Sequence, residues 1–187
     1  APEGPTVWSR SFGAEDDDYG TDIDLDDSGN VLLCGFSSSS SLDFGGGVHH
    51  ILGFQGMFVV KLDPSGQRIW SRIYGGALWE EARALAVGPA GSLFVTGRVS
   101  SPGIDFGSGE LPISGGDDVF LLKLDSAGKH LWSHSFGGEA EDIGTSVALS
   151  NGHVFLGGYF ESEPFAPGAS PLPFAGERDI FVSKFVD

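Results

Sequence analysis

Runs such as Phe58-Val59-Val60 and Phe120-Leu121-Leu122 are apolar at every position. A strand with one face in water alternates apolar and polar residues, so these runs predict strands covered on both faces. Between residues 83 and 136 four strand-like runs follow one another, at 83–87, 92–99, 119–125 and 130–136. Gly88-Pro89-Ala90-Gly91 joins the first pair and Ser126-Ala127-Gly128 the last pair, both hairpin-type connections. A longer link at 100–118 carries the chain from the second run to the third. It holds Asp105-Phe106-Gly107, which repeats Asp43-Phe44-Gly45, while a third copy keeps Phe165 behind Pro164. The Phe reads as an anchor packing the link down. The Asp43 and Asp105 carboxylates read either as turn caps or as ligand contacts.

The four-run unit recurs. FLLKLDSAGKHLWSHSFGG at 120–138 is matched by FVVKLDPSGQRIWSRIYGG at 58–76, and a third copy is split between FVSKFVD at 181–187 and TVWSRSFGA at 6–14. Trp8, Trp70 and Trp132 are spaced by 62 and 62, Lys61, Lys123 and Lys184 by 62 and 61, and Gly29, Gly91 and Gly152 keep the same step. One period in three independent markers identifies a repeat architecture. Four-stranded sheets stacked around an axis cover both faces of every strand, which is the β-propeller solution. Solenoids build from shorter repeats with fewer strands. The expected fold is therefore an all-β propeller unit over 1–187 with antiparallel blades at about 14–75, 76–137 and 138–187 plus a strand at 6–13. A lone Trp run (7–12) opens the chain and three runs (144–149, 154–160, 180–186) close it. The N-terminal strand is thus expected to complete the last blade, in the same chain or in a partner, leaving no sheet edge unpaired. Three blades are fewer than the roughly 4–8 that close a ring. Two chains giving six blades head to tail is the expected assembly, with membership of a longer ring as the alternative.

The pattern FVxKLDxSGxxxWSxxxGG, followed by an acidic cluster and a hairpin ending VxxxG, resembles the bacterial seven-bladed-type β-propeller repeats of secreted and surface proteins. Phe58, Lys61, Asp63, Gly66, Trp70 and Gly75 carry it, matched by Phe120, Lys123, Asp125, Gly128, Trp132 and Gly137. The last copy departs from it, with Val186 in place of the Asp of the KLD triplet. The resemblance implies a bacterial extracellular or cell-surface propeller and names no reaction.

A formal charge of −16 argues against nucleic acid, which needs a Lys and Arg patch, and against anionic membranes. It fits a solvated surface or the binding of cations. No run of 18 apolar residues predicts a membrane span, and no N-terminal segment reads as a signal peptide. Cys34, the one cysteine, aligns with Thr96 and Gly157 and reads as a small buried residue.

Two readings of the acidic cluster stand. Asp18, Glu80 and Asp142 are in phase, with Asp16 and its neighbours beside the first. They either accept turn N–H groups or pair with Lys61, Lys123 and Lys184, or else hold a hard cation such as Ca²⁺ on flexible loops. Asp22-x-Asp24-x-Asp26 lacks the Gly of a calcium loop and reads as a strand with Asp on one face. Trp8, Trp70 and Trp132 read as core anchors. Trp79, out of that phase, is either rim packing or a platform for a sugar. The five His fall out of phase, and His49-His50 lacks an evident third ligand. The serine run at 37–41 reads as a flexible insertion. No catalytic constellation is legible. The expected function is a non-enzymatic binding or assembly module for an unknown protein or glycan, with a lectin-like propeller, Ca²⁺-assisted, as the alternative.

Overall fold

A computed structural model describes residues 4–187. The chain folds into strands β1 (Asp18–Leu25), β2 (Val31–Ser37), β3 (Ser41–Asp43), β4 (Val48–His50), β5 (Gly56–Leu62), β6 (Arg68–Gly75), β7 (Glu80–Val87), β8 (Leu93–Val99), β9 (Asp118–Leu124), β10 (His130–Phe136), β11 (Asp142–Ser150), β12 (His153–Phe160) and β13 (Asp179–Val186). The described residues hold one 3₁₀ turn, Pro89–Gly91, and no α-helix. The fold is all-β. Two antiparallel sheets have four strands, in the orders β1-β2-β5-β6 and β7-β8-β9-β10, a third has three, β11-β12-β13, and β3-β4 forms a small ribbon.

The sheets repeat in detail. Each first strand bulges at the same place, between Gly20 and Asp22, Ala82 and Ala84, and Gly144 and Ser146. A bulge turns one carbonyl out of the ladder, and the neighbouring strand must make room for it. Gly35, Gly97 and Gly158 do so: a Cβ there would lie 1.9, 1.8 and 2.0 Å from the carbonyl oxygens of Tyr19, Glu81 and Ile143. Each hairpin turn before the Trp run is closed by an Asp. Asp63 accepts N–H bonds from Ser65 (2.8 Å) and Gln67 (2.9 Å), and Asp125 from Ala127 (2.9 Å) and Lys129 (2.8 Å).

The second sheet stands between the other two. Leu32, Met57, Val59 and Trp70 of the first pack on Phe120, Leu122 and Leu124 of the second. The opposite face of the second presents Phe94, Val119 and Leu121 to Val154, Leu156 and Phe181 of the third. This is why the runs Met57–Val60 of β5 and Val119–Leu122 of β9 are unbroken apolar sequence. Phe44 and Phe106 are buried loop anchors, with ring centroids 5.1 and 5.3 Å from Phe58 and Phe120.

Two expectations are corrected. The N-terminal segment does not complete the third sheet of its own chain: among the described residues β13 pairs with β12 alone, and residues 7–12 belong to no strand. They lie instead on the far face of the first sheet, where Phe12 joins Phe44, Phe58 and Val60. The sheets form an open row, so the segment seats where the row begins and not where it ends. The serine run is no loose insertion either. Ser37 and Ser39 are buried and bonded to Asp18, at 2.5 and 3.3 Å, and Ser41 opens β3. Ser39 is in phase with Ser101 and Ser162, so the serine belongs to the repeat and not to an insertion. Among the described residues no helix is long and apolar enough to cross a membrane.

Candidate functional site

The residues displaced by the three bulges are Thr21, Arg83 and Thr145, spaced by 62 and 62. Freed from the ladder, they converge with Phe36 on an open cavity of about 370 Å³. Thr21 Oγ1 donates to the Ala82 carbonyl at 2.8 Å and so ties the first bulge to the second. Behind the mouth, charges alternate. Arg83 donates to Glu81 at 2.7 Å, Arg98 bonds Glu81 at 2.6 Å and Asp117 at 2.5 Å, and Ser100 closes on Asp117. Burial disfavours the Arg98 charge, but Glu81 and Asp117 outweigh it and raise its pKa. Hydroxyls, one partly neutralised guanidinium and an aromatic ring make a mouth suited to a small polar group. Sequence reasoning missed these residues, although their 62-residue step was on view.

The in-phase acids do a different job. Asp18 accepts from Ala14 N–H (2.8 Å), Glu80 from Gly76 N–H (2.8 Å) and Ser101 N–H (3.1 Å), and Asp142 from Gly138 N–H (3.0 Å) and Ser162 N–H (3.1 Å). Ser39, Ser101 and Ser162 return the favour, their hydroxyls accepting from the N–H groups of Asp16 (3.0 Å), Leu78 (2.8 Å) and Ala140 (3.0 Å). Each acid–serine corner straps the loop before a first strand to the end of the second strand. The structure does not bring Asp16, Asp18, Glu80 and Asp142 together, and among the described residues no group of three His, Cys, Asp or Glu is placed to hold a metal ion. The repeated lysines pair elsewhere than with these acids: Lys61 with Asp26 at 2.8 Å and Lys123 with Asp187, while Lys184 lies 5.6 Å over the Phe155 ring.

Asp22 and Asp24 reach the next sheet, accepting the Leu85 and Val87 N–H groups of β7, each at 2.9 Å. They satisfy an inner strand edge that has no ladder partner. The Asp43 carboxylate accepts the N–H groups of Gly45, Gly46 and Gly47, and Asp105 those of Gly107, Ser108 and Gly109, at 2.6–3.1 Å. These bonds hold both carboxyls below the usual range. Trp79 is 45% exposed and stacks on the exposed Phe54 with centroids 5.4 Å apart. Cys34 is buried, which pushes its thiol up to about 12. His49 shares a 2.7 Å bond with the Ser71 hydroxyl.

Asp118 stands apart. It accepts Ser114 N–H at 3.0 Å, but its other oxygen is buried without a partner, facing Gly137. Burial, reinforced by the Asp142 and Asp117 charges, pushes its pKa up to about 6. The folded protein therefore holds a proton that the unfolded chain, with an ordinary Asp near pKa 3.9, has lost. This contribution is full below about pH 4 and fades as pH rises through about 6. Asp118→Asn is expected to flatten that segment of the stability–pH curve and to stabilise the fold at pH 7. The gain is roughly 1–2 kcal/mol after allowing for solvent screening. Urea melts at pH 4, 5, 6 and 7 measure it.

No protein-family model matches the chain. The chain is similar to the protein named Regulatory protein FlaEY of Caulobacter vibrioides, with 32% identity over 175 residues. The match covers 82% of this chain and 17% of that protein, so the chain spans less than a fifth of its relative's length.

Proposed function

We propose that this chain is a non-enzymatic β-propeller module of the bacterial extracellular or cell-surface class, acting by binding and assembly and completed into a six-bladed ring by a second copy. The observation that carries this reading is the convergence of the bulge residues Thr21, Arg83 and Thr145 on one cavity. Sheets related by a constant rotation about an axis bring equivalent first-strand residues together there. The common strand order and bulge position of the sheets support the same rotation. A similar stretch inside a far longer protein accords with a module used in larger contexts. Light scattering of the purified chain is expected to give a mass near twice 19.6 kDa. A compact folded species at 19.6 kDa refutes the paired ring.

A lectin-like reading is favoured by one observation, the exposed Phe54–Trp79 stack, whose outer ring face is free to lie on a sugar. On that reading a glycan array gives hits that Trp79→Ala abolishes with the fold intact. Arrays with and without Ca²⁺ decide whether a cation assists, and an array without hits removes the reading.

A further inference from the structure

The outer face of the third sheet is exposed at positions that the other two sheets bury. Ile180 and Val182 of β13 are 87% and 76% exposed, whereas their repeat equivalents Met57, Val59, Val119 and Leu121 are all at 0%. In the first two sheets these positions lie under a fourth, Trp-bearing strand and against the next sheet. Among the described residues the third sheet has neither.

The N-terminal segment makes the contacts of such a strand, but against the first sheet. Trp70 of β6 donates its indole N–H to the Ser126 carbonyl in the next sheet's hairpin turn (3.1 Å), and Arg72 donates to Gly128 (2.8 Å) and Ala127 (3.2 Å). Trp8 donates to Pro64 (3.0 Å), and Arg10 to Gly66 (3.2 Å) and Ser65 (3.3 Å), the equivalent carbonyls of the first sheet's turn. Phe12 meets the loop anchor Phe44 at 5.2 Å as Tyr74 meets Phe106 at 5.1 Å. Residues 8–12 thus sit against the first sheet as β6 sits against the second. On the same side β1 exposes Ile23 and Leu25, whose equivalents Leu85 and Val87 pack into the cluster between the first and second sheets, Leu85 buried and Val87 half-buried.

We infer that residues 6–12 of one copy pair antiparallel with β13 of a second copy, joining the third sheet of one to the first sheet of the other through the contact already made twice inside the chain. This inference rests on the propeller reading above and names its interface. β6 lies on β5 with Trp70 opposite Lys61 and Arg72 opposite Val59, and β10 on β9 with Trp132 opposite Lys123 and His134 opposite Leu121. Carried over, that register sets Trp8 opposite Lys184, Arg10 opposite Val182 and Phe12 opposite Ile180. Lys184 already lies over Phe155, as Lys123 lies over Phe94 at 4.9 Å. No rearrangement is needed, because 8–12 keep their turn contacts while their free edge pairs. The two complementary surfaces differ, so the contact is head to tail and closes when the rotation completes a ring.

The register predicts that Ser9 faces Ser183, and directly opposed residues have Cα atoms about 4.5–5.5 Å apart, within disulfide reach. The full chain carrying Ser9→Cys is mixed with the full chain carrying Ser183→Cys and oxidised by air. A reducible covalent dimer of one of each is expected, and neither variant alone forms it. The buried Cys34 stays out of the chemistry. A mixture of Ser11→Cys with Ser183→Cys, two residues out of register, is expected to give at least tenfold less. Equal yields overturn the register. No dimer in either mixture, with light scattering still near twice 19.6 kDa, overturns this interface while leaving the ring standing. A monomeric mass overturns the ring itself. A chain carrying both Ser9→Cys and Ser183→Cys that closes as a covalent monomer assigns the strand to its own sheet and overturns the inference. As a readout without substitutions, amide exchange at 180–186 is expected to slow as protein concentration rises, and an unchanged rate counts against the pairing.

Discussion

Trp70→Ala is expected to cost roughly 3–5 kcal/mol of stability, the range for deleting a large buried aromatic. Trp70 is buried between the first and second sheets in a cluster with Leu32, Val59, Phe120 and Leu124. Its ring lies flat against the next hairpin turn, so close that a Cβ on Gly128 would come within 2.9 Å of it, and Gly128 holds a positive φ of 73° besides. Truncation opens a cavity walled by strands held in register on both sides, so little collapse can fill it. The indole N–H bond to Ser126 adds about 0.5–1.5 kcal/mol of its own. Trp70→Phe, which keeps most of the volume, is expected to lose much less. Urea denaturation of both variants checks the order, and an Ala variant within 1 kcal/mol of the parent refutes the anchoring role. Trp8→Ala is expected to leave the isolated chain nearly as stable as the parent, since only the turn contacts go.

Asp26→Ala is expected to destabilise by about 3–5 kcal/mol, as for any buried ion pair stripped of one partner. Asp26 and Lys61 are 8% and 7% exposed and 2.8 Å apart. Asp26 also accepts the N–H groups of Ser28 (2.9 Å) and Asn30 (3.0 Å) and the Asn30 amide (2.8 Å). Removing it strands the Lys61 ammonium beside the Ser126 carbonyl and unties the turn. Asp26→Ala combined with Lys61→Met is expected to recover most of the loss, because the desolvation cost goes with the charge. The pH dependence has a definite sign. Burial pushes the Asp26 carboxyl up, but Lys61 and the Asn30 and Ser28 bonds outweigh it and hold the group well below the ordinary range. Its contribution is therefore full above about pH 4 and is lost as pH falls further. This is the opposite of Asp118, so the two residues bracket a stability maximum in mild acid. Thermal melts from pH 2 to pH 7 of the parent and the two single variants separate the contributions.

Much of this was legible in the one-dimensional pattern because tandem repeats solve the same packing problem several times. The Trp, Lys and Gly steps marked the period, and unbroken apolar runs at β5 and β9 marked strands covered on both faces. Gly66 and Gly128 announced the turns, while the Asp63 and Asp125 carboxylates that close them emerged only from the structure. The acids at 18, 80 and 142 were found in phase, but their partners were not, because a serine hydroxyl some 20 residues away carries no local signal. The bulge residues escaped for a related reason: a bulge is a relation between two strands and leaves only a Gly on the second one to betray it.

The chain alone determined its all-β class, the 62-residue period, the buried positions of β5 and β9 and the turn chemistry, since each depends on neighbours within a few residues or on repetition itself. The tertiary structure alone decided where residues 7–12 rest, which carboxylates meet which N–H groups and that the three bulge residues share a cavity with Phe36. Those outcomes depend on the rotation from one sheet to the next, a quantity no local pattern of residues encodes.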